Sequence, residues 1–412
     1  MRMGKNLVTK TPGMEALDQL FRIGNGPSSS HSMGPTRASE IFLARNEKAA
    51  RFRVTLYGSL SATGRGHFTD QAITDILGAD RTEIVWSEEV KPFHPNGLEL
   101  EAFSADGTRL DRWLCYSIGG GKISDETAEV KVVKIYALDT MDKLLAWCKE
   151  TGRHLWEYFA EVEGEAGWDY LRSVWQQMLA TIERGLHCDG VLPGGLNLPR
   201  KARSLHLLAR KLNASSQRTC LIAAYAYASN EENAARGRVV TAPTCGSCGT
   251  LPAVLRYVSE QYGSREEEIL KALAVAGLIG NVAKQNGSIS GAEAGCQAEV
   301  GVACAMAAGA AAYLMGGTPF ECEYAAQMSL EHCLGMTCDP INGLVQIPCI
   351  ERNVVAANRA LVSAELAMLS DGRHLVSFDR TIEVMLETGR DLPAIYRETS
   401  HGGLAASWRK MC

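Results

Sequence analysis

The texture of the chain changes near Met141, and no other feature constrains the fold as much. Before it, from about Gly13 to Lys143, short helical runs alternate with β-rich ones. RFRVTLYGSL, TEIVWS, LELEAFS and AEVKVVKIYAL carry the β-branched and aromatic content of strands. Between them FTDQAITDILGA has helical spacing, and PTRASEIFLARNEKAA reads as a helix with a proline near its first turn. After Met141 the strand signal fades. LLAWCKETGRHLWEYFAEVEG and WDYLRSVWQQMLATIERGLH are amphipathic, and helical runs then alternate with Gly/Pro-rich loops. This predicts an α+β domain over residues 1–145, then an all-helical domain over 146–412 whose loops gather at one place.

At 46% hydrophobic and 22% charged residues, the composition is that of a soluble globular protein. A net charge of −5 without a long basic run argues against nucleic acid as a partner. The first twenty residues lack the apolar core of a signal peptide. The thirteen cysteines are therefore expected in a reducing cytoplasm, as buried thiols or metal ligands. One uncharged stretch, Gly301 to Gly317, is dominated by Ala and Gly, with Glu293, Gln297 and Glu299 just upstream. Small residues let helices approach closely, so it reads as a central buried helix rather than a membrane span.

The cysteines divide by context. Cys296, Cys338 and Cys349 each lie near Gly or Pro, where backbone can wrap a metal centre. Cys412 ends the chain, and a thiol on a frayed end is a liability unless it is held inside and bound. Together they make a soft, four-thiolate set suited to an iron–sulfur cluster or zinc, although the spacing matches neither a ferredoxin nor a zinc finger. Cys245 and Cys248 form a Cys-x-x-Cys without a second copy or a thioredoxin pattern, and read better as two small buried thiols in a turn. Cys115, Cys148, Cys188, Cys220, Cys304, Cys322 and Cys333 read as small buried hydrophobes.

The segment IGNGPSSSHSMGPTRASE sets Ser28, Ser29, Ser30 and His31 in front of a helix. Hydroxyls and N–H groups there suit a carboxylate or phosphate; the alternative is a Ser-rich capping turn. His67 in GSLSATGRGHFTD and His94 in FHPNG also occupy Gly- or Pro-flanked loops. Three such histidines in one small domain suggest general acid–base chemistry. SIGGG, with Gly119 to Gly121, lacks the spacing of a nucleotide fingerprint and reads as a loop of close backbone approach.

With GPSSSHSMGP, YGSLSATGRGH, HPNG, SIGGG, NGSISGAEAGCQAEVGVACAMAA, CDPINGLVQIPCIERN and YRETSHGGLA in view, the chain resembles the iron–sulfur-dependent L-serine dehydratases (L-serine ammonia-lyases) of single-chain, two-domain type. The resemblance runs from about Leu20 to Cys412. It implies an N-terminal α+β domain like a regulatory substrate-binding domain of phosphoglycerate dehydrogenases, followed by a helical catalytic domain. It also implies a [4Fe-4S] cluster on Cys296, Cys338 and Cys349 with one iron open to L-serine. Cys412 would occupy that iron until substrate displaces it. His31, His67 and His94 would then face the cluster, with His67 favoured as base over His31, and L-serine would become pyruvate and ammonia. By loop position, Ser28, Ser29, Ser30, Asn286 and Ser288 are candidates to hold the substrate. A homodimer is the family expectation. Asn is more usual in the family where this chain has Cys245 and Cys333. Two other readings compete: a pyridoxal-phosphate enzyme using Lys284, and a cluster-based redox sensor.

Overall fold

The computed structural model describes residues 12–118, 120–125, 133–400 and 402–410. Strand β1 (Ile23–Asn25) leads to helix α1 (Gly34–Arg45), with Pro35 in its first turn. There follow β2 (Arg51–Leu56), α2 (Gly58–Thr63), α3 (Thr69–Leu77), β3 (Thr82–Trp86), β4 (Gly97–Phe103), β5 (Arg109–Ser117) and β6 (Ile123–Ser124). Strands β2 to β6 form one mixed sheet in the order β3-β2-β4-β5-β6. The β2–β3 pair is parallel, with α2 and α3 as its crossover, and the other pairs are antiparallel. Period-two alternation turns Phe52, Val54 and Leu56 inward and leaves Arg51 and Arg53 outside. The register sets Val54 opposite Leu100, and Leu100 opposite Trp113. Ala38 and Phe42 of α1, with Ile73 and Leu77 of α3, close this apolar layer.

The helical region comprises α4 (Met141–Thr151), α5 (Leu155–His187), α6 (Ala202–Ala209), α7 (Ala214–Ala234), strand β7 (Arg238–Val240), α8 (Thr250–Tyr262) and α9 (Glu266–Asn286). It continues with α10 (Gly291–Ala294), α11 (Val302–Leu314), α12 (Pro319–Glu331), α13 (Cys349–Met368), α14 (Phe378–Asp391) and α15 (Gly403–Arg409). Helix α11 is the centre, with every residue from Val302 to Ala312 buried. A Cβ on Gly309 would overlap Ile279 of α9, so the small-residue stripe sets this close approach. The apolar run Gln297–Leu314 is long enough to cross a bilayer, but 83% of it is buried inside the protein, as in a core helix.

Three local readings need correction. The run LLAWCKETGRHLWEYFAEVEG is two helices, because Gly152 adopts a left-handed conformation and ends α4. Strand β5 lacks a strand-like pattern in the sequence, since its first four residues are mostly exposed and polar, and inward packing begins near Trp113. The predicted strand AEVKVVKIYAL lies partly outside the described residues, and from Val133 it forms no ladder beyond an isolated bridge, Tyr136 to Met14. Tyr136 instead anchors this connection, its hydroxyl donating to Glu163 at 2.6 Å.

The packing also determines where the regions meet. Met14, Leu17, Leu20 and Phe21 belong to the apolar core of the helical body. Strand β1 pairs antiparallel with β7, Ile23 opposite Val240. The segment from Met14 to Phe21 thus lies on the helical body, and the chain leaves it through β1 and returns at Tyr136. That route lays the loop between β1 and α1 along the seam.

Candidate active site

The seam encloses a cavity lined by Pro27, Ser28 and His67 on one side and by Cys296, Cys338, Cys349, Glu299 and Glu398 on the other. Each wall is built by local irregularity. Ser29–Met33 is a π-helical turn, with the Ser28 hydroxyl accepting from the His31 N–H at 3.2 Å. A second π-helical turn, Gln297–Gly301, follows Cys296 and carries Glu299. Such turns break helical register and turn side chains inward, and they recur at functional sites.

The ligating atoms of Cys296, Glu299 and Cys338 all lie within 4.8 Å of one another. Cys349 is the first residue of α13, where the helix dipole favours a thiolate. A side chain on Gly291 would overlap Glu299 and stand 3.2 Å from the Cys338 sulfur, so glycine keeps the pocket open. The Cys338 thiol is held well above its usual pKa by its hydrogen bond with Cys296 and by burial. Burial, followed by neighbouring Cys296, does the same to Cys349. The Arg352 guanidinium opposes the shift at Cys349, but burial and the neighbouring thiol outweigh it, so ionising these thiols together calls for a further positive centre. Buried soft sulfur donors in that state fit a thiolate metal centre, iron–sulfur or zinc.

The opposite wall carries imidazoles. His67 donates from Nδ1 to the Thr63 carbonyl at 2.9 Å, which leaves Nε2 as the acceptor nitrogen of the neutral ring. Burial drives its pKa down to about 4, so the ring is neutral at physiological pH. His31 stacks on it at 4.5 Å between ring centroids and is fully enclosed. His31 Nε2 meets the Ser59 carbonyl at 3.2 Å, and its Nδ1 meets the Ser30 hydroxyl at 2.9 Å. Burial, then the neighbouring His67, depresses His31 well below the usual imidazole range.

The structure separates the remaining predicted residues. His94 does not line the cavity, and its Nδ1 accepts from the Asn96 N–H at 3.1 Å. Ser29 is buried in the π-turn, and Ser30 does not line the cavity but bonds to the Ser28 hydroxyl at 3.3 Å and to His31 at 2.9 Å. Asn286 donates to the carbonyls of Asp139 and Val282, at 2.6 and 3.2 Å. The Ser288 hydroxyl donates to Glu293 at 2.6 Å. The Lys284 ammonium is held by Glu15 at 2.8 Å and by the Gln19 carbonyl at 2.9 Å, away from the cysteines. Cys245 and Cys248 are buried in and beside a short turn, as expected, with Gly246 between them facing the cavity. Cys412 lies outside the described residues. The last described helix, α15, docks beside Cys338, its Leu404 N–H donating to Asp339 at 2.8 Å.

Two carboxyls were missed. Glu299 is raised to about 7 by burial and by Glu398, against a 2.8 Å hydrogen bond from Thr244. Glu398 is raised to about 7 by burial and by Cys296. It sits at φ +45°, a left-handed conformation that non-glycine residues rarely adopt. The segment around it is pinned by backbone bonds between Cys338 and Tyr396 (2.7 Å) and between Thr399 and Cys338 (3.1 Å). Glu299 stands three residues after Cys296, a spacing that could have drawn attention to it. Nothing local distinguishes Glu398.

A family model for the serine dehydratase alpha chain matches residues 48–405. The chain belongs to the serine dehydratase family. Among its relatives, an L-serine dehydratase of Streptomyces coelicolor is 42% identical, across 94% of this chain and 98% of its own. One from Haemophilus influenzae is 40% identical over 95% and 99%. L-serine dehydratase 1 of Escherichia coli is 39% identical over the same shares, 95% and 99%. The serine dehydratase likeness therefore spans both regions, and with them both walls of the cavity.

Proposed function

We propose that this protein is an iron–sulfur-dependent L-serine ammonia-lyase that converts L-serine to pyruvate and ammonia. The observation that carries this reading is the enclosed cavity shared by Cys296, Cys338, Cys349 and His67. The three cysteines would hold a [4Fe-4S] cluster, with Cys412 as an internal competitor for its open iron. Bound there, the cluster would supply a Lewis acid for serine's hydroxyl, a poor leaving group.

The protein's own groups account for the rest. His67 would take the α-proton on Nε2, since its Nδ1 is committed to Thr63. His31 packs behind it and keeps a second positive charge out of the site. The Ser28 hydroxyl would meet the substrate carboxylate. The ammonium needs an anionic partner, and of the two carboxyls lining the cavity Glu299 is engaged by Thr244 and Cys338. Glu398 stands 3.6 Å from His31 Nδ1, and because burial keeps that ring neutral the Glu398 carboxylate is the one available to an ammonium. Ser29, Ser30, His94, Asn286 and Ser288 would position these loops. Loss of the α-proton and hydroxide leaves aminoacrylate, which tautomerises to an imine and hydrolyses.

In this reading residues 1–145 supply the proton-transfer wall and residues 146–412 the metal wall. A homodimer in the cytoplasm is proposed with it, in keeping with the free thiols of all twelve described cysteines. The test is anaerobic purification, a count of iron and sulfide per chain, and a pyruvate assay with L-serine. Four irons and activity that is lost in air would support the cluster enzyme. Activity without iron would transfer the chemistry to Lys284 and pyridoxal phosphate.

A further inference from the structure

On the other side of the Ser-rich loop lies a second opening, a cleft of about 440 Å³, within the range of small-ligand sites. Arg22, Arg236 and Arg238 enter it from the helical side, and Arg37 enters from α1. Arg236 is neutralised by Asp75 and held by Gln71 at 2.7 Å. The other three form no ion pair among the described residues, although Glu15 and Asp18 lie near enough to Arg22 to favour its charge. Arg22 donates to the uncharged Gln19 side chain at 2.7 Å. Among the described residues, no side-chain hydrogen bond or ion pair engages the guanidinium of Arg37 or Arg238. Nearby Glu15 is committed to Lys122 and Lys284, at 2.7 and 2.8 Å. Glu40 is the lining carboxylate left to oppose them. Burial, and then repulsion from Arg37, depresses the Arg22 guanidinium, which indicates that the two cations share one space.

Guanidinium forks match carboxylate and phosphate oxygens two at a time. We propose that this cleft binds a compact dianion, of the phosphate or dicarboxylate kind, clamped by Arg22, Arg37 and Arg238 across the seam. Its occupancy would stiffen the Ser-rich loop. Gly24, Ser32 and Met33 of that segment line the cleft, whereas Ser28 lines the cysteine cavity. Ser32 joins the two sides directly, its hydroxyl donating to the His67 carbonyl at 3.0 Å. A bound dianion is thus one hydrogen bond from the proton-transfer wall.

The test is calorimetric titration of the holoenzyme with inorganic phosphate and, separately, malonate, at constant ionic strength in chloride. Hydrogen exchange across residues 24–33 is followed in parallel. Saturable binding of either probe is expected, weakened at least 10-fold in the Arg37→Ala/Arg238→Ala double variant, with slower exchange in that segment. Saturation by phosphate alone would assign a tetrahedral oxyanion, and by malonate alone a dicarboxylate. Non-saturating heats for both probes, or equal affinity in the double variant, would overturn the site. Binding without a change in exchange would overturn the coupling. Neither readout depends on turnover, so failure here is distinct from failure of the dehydratase reading.

Discussion

The small mixed-sheet region and the helical body each bury ionisable groups against the same cavity, and burial acts on them in opposite directions. Desolvation disfavours whichever form is charged. It therefore lowers His31 and His67, and raises Cys338, Cys349, Glu299 and Glu398. Without a metal neither wall carries full charge on these groups: the imidazoles are neutral, the two thiols protonated, and Glu299 and Glu398, near 7, only partly ionised. A positive centre changes only one of them: it draws protons from thiols and leaves the imidazoles still less inclined to gain one. The seam can thus hold thiolate ligands and a neutral base within one enclosed volume.

Removing one of the cysteines proposed as ligands from the helical wall should have the largest effect. Cys338→Ser is expected to reduce iron and sulfide per chain to a trace, abolish pyruvate formation and lower the melting temperature, because a thiolate cluster also ties its loops together. A variant with a full cluster and normal turnover would remove the metal wall from the comparison. His67→Asn tests the other wall. The amide can still donate to the Thr63 carbonyl, so the loop should hold its shape while the proton acceptor is lost. Turnover should fall by about 10²–10⁴-fold with iron content unchanged. If iron is lost as well, the two walls are not separable.

Much of this layout was legible in the sequence, for identifiable reasons. Alternation in RFRVTL and the Ala/Gly run around Val302 follow from packing periodicity alone, and both formed as read. Cys296, Cys338 and Cys349, marked out by neighbouring Gly and Pro, do line one cavity. What could not be read depends on tertiary placement. Glu299 looked like an ordinary charge ahead of a helix until the π-helical turn moved it inward. Glu398 lies on an irregular segment placed by pairing with Cys338, some sixty residues upstream. Asn286 and Ser288 share a loop in the sequence, but their hydrogen bonds to Asp139, Val282 and Glu293 are set by tertiary packing.

Glu398 belongs to the helical wall by position but would serve the substrate rather than the metal. Glu398→Gln should raise KM for serine about 10- to 100-fold, the scale of a charge-assisted hydrogen bond, with a smaller change in kcat. Equal loss in kcat with an unchanged KM would return this carboxyl to the metal wall.

The smallest effect separates the walls by pH. With His67 near 4 in the folded state and about 6.5 unfolded, the unfolded chain binds the extra proton between those values. His67 therefore lends full stability above about 6.5, and that contribution is lost as pH falls toward 4. Glu299 and Glu398, raised to about 7, act in the reverse sense, with stability present below the unfolded carboxyl value and lost as pH rises through 7. The two walls partly cancel in the wild type, so a flat stability profile would be uninformative alone. The difference between wild type and His67→Asn isolates one wall, and it should grow in favour of wild type by about 2 kcal/mol between pH 5 and pH 7. Denaturant titrations of both proteins at those pH values give that difference directly. A difference independent of pH would mean that His67 titrates alike in the folded and unfolded states, and the neutral-wall description would fail with it.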